Sequence, residues 1–270
     1  MYPEIVSIGP VTIYSYGVMM ALGFLAAGWT TGKELVRQGK DPAFASTLVL
    51  WAAVGGLVGA RVLFIVEQWR EFVVDPLSLI FTGAGFTWYG GLIGGVVGVT
   101  LCIRRYGFSW IEIMDAIAPG IALGHGIGRI GCHLAGDGDW GPPTDLPWGV
   151  AYTNAIVGWP PPGQPPDVRV HPSALYEAIA YVLIFALLWS QRAKPRPVGS
   201  LFWGYLLLSG LARFLIEFLR INPPLILGLS EAQIISIGLM VVGAVMLTKR
   251  DLSREPARPV GGTPRIAREK

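Results

Sequence analysis

Arg129 and Arg213 both lie inside apolar stretches of this 270-residue chain, and each has further reactive side chains at helical spacing. In GHGIGRIGCHLAGDGDWG, His125, Arg129, Cys132 and Gly136 fall four, three and four apart, so a helix carries them on one face, with His133 beside them. In SGLARFLIEFLR, Arg213 and Glu217 are four apart and can pair. HPSALYEAI brings His171, Ser173, Tyr176 and Glu177 to the start of another apolar stretch. Pro172 suits a helix start, and Glu177 is expected in the first turn, where a carboxylate suits the helix dipole. Two guanidiniums in a low-dielectric site clamp phosphate or carboxylate, and a nearby imidazole can carry a proton.

Each feature also has a plainer reading. Arg213 and Glu217 would serve equally as a pair that locks helices together. His125 reads as an interior histidine as readily as a base. Arg61, in GGLVGARVLFIVEQW, can snorkel, pair with Glu67 or join a site. GDGD has the start of a calcium loop but lacks the distant Glu that closes an EF-hand.

Composition sets where this chemistry takes place. Hydrophobic residues make up 52% of the chain, charged residues 14%, and the mean hydropathy is +0.52. A soluble domain is about 25% charged, so an all-α integral membrane protein is expected. An ionisable group at bilayer depth costs about 2.5–3.5 kcal/mol on insertion scales, so the buried arginines should face the bundle interior. Cys102 and Cys132 fall near opposite ends of neighbouring apolar segments, which argues against a disulfide between them. No CxxC or His/Cys metal pattern is present; neither a metal nor a cofactor is expected, and nucleic acid is not an expected partner. MYPEIVSIGP lacks the positive region and cleavage site of a removable signal peptide.

Seven stretches approach the roughly 20 apolar residues that a span requires: 12–31, 43–66, 85–103, 110–134, 173–191, 199–219 and 225–248. Of the 21 Lys and Arg residues, 15 follow the first, third, fifth and seventh of these, whereas the other loops hold Arg70, Arg169 and Arg220. The positive-inside rule then puts the N-terminus outside and the C-terminus in the cytoplasm. An irregular outer loop, rich in Pro, Gly, Asp and Trp, is expected between spans four and five. Residues 1–248 read as one membrane domain, and 249–270 as a basic, largely disordered cytoplasmic tail.

These motifs resemble the prolipoprotein diacylglyceryl transferase family. GRIG at 128–131 is similar to the family signature, HPSALYE at 171–177 to its HPxxLYE motif, and Arg213, Glu217 and Arg220 to its span-six stretch. IGPVTIYSYGVMMALGF, with Tyr16 and Gly17, and GGLIGG from Gly90 are similar to further family segments. The resemblance covers roughly residues 8–248. It implies a seven-span enzyme of the bacterial inner membrane. Such an enzyme moves the diacylglyceryl group of phosphatidylglycerol to the lipobox cysteine of a prolipoprotein signal peptide, releasing glycerol phosphate. By the resemblance, Arg129 and Arg213 hold the phosphate, Glu217 orients Arg213, and Tyr16 lines the lipid site. Arg61, Gly128, Gly131, Cys132, Gly141, His171, Tyr176 and Glu177 are expected at the substrate-binding surface. Three positions depart from the family pattern: Tyr89 replaces a common histidine, Cys132 an asparagine and Ser209 a tyrosine. The base is therefore left open among His125, His133 and Tyr89. A divergent homologue with another acceptor or weak activity, and an anion-binding transporter, are the alternatives.

Overall fold

Glycine spacing decides how the first pair of long helices packs. The computed structural model describes residues 1–9, 11–81 and 87–251. Within them the order is β1 (Glu4–Ile8), β2 (Val11–Tyr14), α1 (Ser15–Arg37), α2 (Ala43–Glu67), α3 (Trp69–Val74), α4 (Pro76–Phe81), α5 (Trp88–Arg105), α6 (Trp110–Ala135), α7 (Ser173–Gln191), α8 (Ser200–Glu217) and α9 (Glu231–Asp251). α2 packs along α5, α1 along α6, α8 along α9, and α6 against α7. At the α2–α5 contact, a Cβ on Gly94 would lie 2.1 Å from the Gly55 carbonyl oxygen and 2.8 Å from the Gly59 Cα. Only a residue without a side chain permits this backbone approach, the usual device of helix pairs in lipid.

The protein is thus mostly helical, as expected. Among the described residues, four helices are long and apolar enough to cross a bilayer: α2, α7, α8 and residues 231–249 of α9. α1, α5 and α6 have comparable lengths of 23, 18 and 26 residues. Glycine and threonine dilute their apolar character, as do Asp115, His125 and Arg129 in α6.

Three expected boundaries shift. Residues 12–14 do not open the first helix; they pair in an antiparallel hairpin with register Glu4↔Tyr14, Val6↔Ile13 and Ser7↔Thr12. VTIY is β-branched and aromatic, which favours this pleat. The seventh helix starts at Glu231, not Leu225, because the Leu225 and Ile226 amides both donate to the Leu229 carbonyl and close a turn. The sixth helix ends at Glu217. Gly85 and Phe86 of the third expected span, and residues 252–270 of the expected tail, lie outside the described residues.

Residues 136–172 form no helix. They are held by a small cluster of Trp140, Tyr152, Val168 and Val170, packed with Trp159 and Met1. The opposite end of the bundle has its own fastening. Asp115 of α6 is 5% exposed, and its Oδ1 accepts hydrogen bonds from the Leu201 and Phe202 amides at 2.7 and 3.0 Å. These are first-turn donors of α8, so a carboxylate from another helix caps α8. Cys102 and Cys132 are both free and buried.

Gly94→Val should drive α2 and α5 apart, at the ~1–3 kcal/mol typical of overpacking or more. The expected outcome is a thermal unfolding midpoint several degrees below wild type in detergent; an unchanged midpoint would mean that the contact is not needed.

Candidate active site

Three helix ends converge at the other end of the bundle: the C-terminal ends of α6 and α8 and the N-terminal end of α7. Each delivers charge, and the charges alternate around a closed ring. Arg129 Nε lies 3.2 Å from Glu177 Oε1, and Arg213 Nη1 lies 3.3 Å from Glu177 Oε2. Arg213 Nη2 is 2.9 Å from Glu217 Oε2, which is also 3.6 Å from Arg220 Nε. Arg220 then pairs with Asp139, and Asp139 pairs with Arg129 to close the circuit. Three guanidiniums and three carboxylates therefore neutralise one another where solvation is poor.

The ring is built partly from helix spacing and partly from the loop. Glu217 and Arg213 share a face of α8. Glu217 Oε1 also accepts from Ser230 Oγ at 2.7 Å and Asn222 Nδ2 at 2.6 Å, which ties the 218–230 connection to it. Asp139 enters from the 136–172 loop. Ser173 Oγ donates to its carbonyl at 3.0 Å, and the Gly141 amide donates to the His171 carbonyl at 2.8 Å. A Cβ on Gly141 would lie 2.1 Å from the Leu219 carbonyl oxygen and 2.8 Å from His171 Cβ. The loop therefore passes between the start of α7 and the end of α8 only because residue 141 is glycine. That passage carries Asp139 to the two arginines.

Burial divides the ring into support and working surface. The Glu177 side chain is fully buried, whereas His125 keeps 26%, Arg213 21% and Arg129 15% of their surface. Glu177 can only position its neighbours; the other three can meet a ligand. His125 Nε2 lies 3.1 Å from Glu177 Oε1, and its ring stacks on Tyr181 with centroids 3.7 Å apart. Among the loop acids, burial alone would raise the Asp139 carboxyl. The Arg220 hydrogen bond and the Arg220 and Arg129 charges outweigh it, and the carboxyl stays below its ordinary value. Burial instead pushes the neighbouring Asp137 carboxyl up.

The expected one-face grouping on α6 holds for His125, Arg129 and Cys132: Arg129 approaches His125 Nε2 at 3.4 Å and Cys132 Sγ at 3.7 Å. His133 does not join it. One turn past Arg129 toward the loop, its Nδ1 is 2.9 Å from the Tyr152 hydroxyl. Glu177 is the fifth residue of α7, past the first turn, and its partners are side chains, not the helix dipole. His171 and Trp148 both meet the Tyr176 hydroxyl, at 3.2 and 2.8 Å, beside the ring. Tyr16 packs against Gly131, and Gly128 faces Met20, so α1 lines the same region. Tyr89 lies at the start of α5, with Glu231, Arg213 and Glu217 as charged neighbours. Arg61 is on α2, its guanidinium 5.9 Å from the centre of the Phe64 ring. Gly136 ends α6 in the left-handed region at φ 63°. Asp139, Tyr181, Asn222 and Ser230 were not among the expected site residues. No helical spacing links Asp139 to Arg129, whereas Tyr181, four after Glu177, carried a readable signal.

Fold and site together define an α-helical membrane protein with a buried arginine–carboxylate ring at one end of its bundle. The sequence model of the prolipoprotein diacylglyceryl transferase family matches residues 3–249, and the chain belongs to that family. It is 34% identical over 245 residues to a phosphatidylglycerol–prolipoprotein diacylglyceryl transferase of Clostridium tetani, covering 90% of this chain and 95% of that protein. A protein of the same name from Pseudoalteromonas atlantica is 36% identical over 257 residues, covering 91% and 87%. One from Pseudomonas fluorescens is 32% identical over 280 residues, covering 97% and 98%.

Asp139→Asn should cost about 1–3 kcal/mol, less than a fully buried pair, because Asp139 keeps 26% of its surface. Wild-type stabilisation from this group is complete above the unfolded carboxyl value near ~3.9 and is lost as pH falls through the lower native value. Acid titration of the unfolding midpoint should show this limb in wild type and not in the variant.

Proposed function

We propose that this chain transfers the diacylglyceryl group of phosphatidylglycerol to the thiol of a prolipoprotein's lipobox cysteine, releasing glycerol phosphate. The observation that carries this reading is the ring itself: Arg129 and Arg213 are partly exposed, held rigidly by the buried Glu177, and sit at the end of a membrane bundle. A lipid phosphate is the anion found at that depth. The transferred group includes the glycerol carbons, so the bond that breaks is carbon–oxygen and the leaving group is the phosphate. Negative charge on that phosphate grows from one to two as the bond breaks. Guanidiniums already fixed by carboxylates stabilise the growth without rearrangement. Glu217, itself fixed by Ser230 and Asn222, holds Arg213 in place. Tyr16, Gly128, Gly131 and Gly141 shape the headgroup surface, and His171, Tyr176 and Trp148 flank it.

The reading includes seven spans, α1, α2 and α5 to α9, with the ring and the 136–172 loop on the outer side of a bacterial inner membrane. Residues 1–248 form the transferase domain, and 249–270 a basic cytoplasmic tail. The distribution of Lys and Arg supports this orientation. A transporter for anionic solutes has less support, because the charges gather at one end of the helices and not at their midpoints.

Rescue of a strain depleted of its own transferase tests the reading. The expected result is growth, with a diacylglyceryl mass increase on a lipoprotein's N-terminal cysteine. No mass increase despite stable membrane expression would overturn it. Arg129→Gln and Arg213→Gln should each lower the transfer rate by ~100-fold or more, the scale of a lost charge-stabilising donor. Lysine at either position should not restore it, since an ammonium cannot span two acceptors as the guanidinium fork does.

A further inference from the structure

We infer that His125, oriented by the buried Glu177, is the base that removes the acceptor thiol's proton; this rests on the transferase reading above. A thiol must become a thiolate to attack. The three candidates from the sequence have different surroundings. His133 is engaged with Tyr152 on the loop, away from the ring. Tyr89, at the start of α5, has the Glu231 carboxylate as a charged neighbour and, among the described residues, no imidazole partner. His125 alone combines an imidazole with a fully buried carboxylate, at 3.1 Å.

The neighbours of His125 favour one tautomer over the other. Nε2 can either donate to Glu177 or accept from Arg129 Nε, 3.4 Å away. If Nε2 carried a lone pair, it would face a carboxylate oxygen at 3.1 Å. The charged carboxylate is the stronger acceptor, so Nε2–H is assigned as the donor to Glu177 Oε1, while Arg129 Nε, directed at Nε2 from 3.4 Å, is held to that same oxygen as an ion pair at 3.2 Å. The proton then sits on Nε2, and Nδ1 holds the lone pair. Nδ1 makes no hydrogen bond among the described residues, and the ring keeps 26% of its surface. Stacking on Tyr181, with planes 8° apart, holds the ring against rotation. A carboxylate behind one nitrogen and an open lone pair on the other is the arrangement that turns histidine into a positioned base.

The step balances as follows. The lipobox S–H proton moves to His125 Nδ1, and Glu177 stabilises the imidazolium. The thiolate sulfur forms a bond to the glyceryl carbon as the bond from that carbon to the phosphate oxygen breaks. The electron pair leaves with glycerol phosphate, beside Arg129 and Arg213. The imidazolium returns its proton to that phosphate, leaving neutral His125 for the next turnover. Glu177 is a positioning residue, since it is buried and acts through His125 and the arginines.

The test compares full-length wild type and His125→Gln on two lipobox peptides, one with cysteine and one with selenocysteine, using phosphatidylglycerol in detergent micelles. A selenol is ionised at neutral pH without help, so it bypasses the base. Wild type should transfer to both. His125→Gln should lose about 100-fold in kcat on the cysteine peptide, within the range for a lost general base, keep its KM for phosphatidylglycerol within about threefold, and recover most of the rate with selenocysteine. His133→Ala should stay within about twofold of wild type on cysteine. A His125→Gln rate within about threefold of wild type on cysteine, or an equal loss on both peptides, would overturn the assignment. So would a Tyr89→Phe loss that selenocysteine repairs. A wild type that transfers to neither peptide would overturn the transferase reading and this assignment with it.

Discussion

Charges that have left water must be answered by other charges, and that constraint organises this molecule. Six ionised side chains, from α6, α7, α8 and the two segments that follow α6 and α8, answer one another in a closed circuit. Removing any member leaves a neighbour uncompensated, so the parts of the site are interdependent in stability as well as in chemistry. The ring also explains the loop. Asp139 reaches two arginines only if the chain passes between the start of α7 and the end of α8, and Gly141 makes that passage possible.

The sequence made the helices legible because lipid imposes long apolar runs, and α2 and α7 fall where that pattern puts them. It misplaced the first and last helices because apolar residues also serve in hairpins and turns: VTIY pairs with the N-terminal strand, and 225–229 fold back on themselves. The site was half legible. Arg213 with Glu217, and His125 with Arg129, follow from helical spacing, which is local. Asp139 with Arg220 spans 81 positions and depends on where a loop of no regular period comes to rest. The partners of Glu177 escaped the sequence for the same reason: its spacing within α7 is local, but those partners come from α6 and α8.

Family membership and the ring account for different things. Membership places the chain among proteins named for a reaction, and 32–36% identity over nearly the full length supports a shared fold. The ring accounts for how such a reaction is supported here, including the departures. Cys132 stands beside Arg129 as a buried thiol, and Ser209 turns its hydroxyl to the Leu206 carbonyl, so both positions fill space with small side chains. His125, by contrast, brings a titratable group next to Glu177.

α8 is fastened at both ends. Asp115 grips its first amides, and 11 to 16 residues further along, roughly 17–24 Å at 1.5 Å each, Arg213 and Glu217 are locked into the ring. A rod fixed at both ends has no axial play. Sliding α8 by even a fraction of a turn would strip the cap from two buried donors and break the charged circuit together.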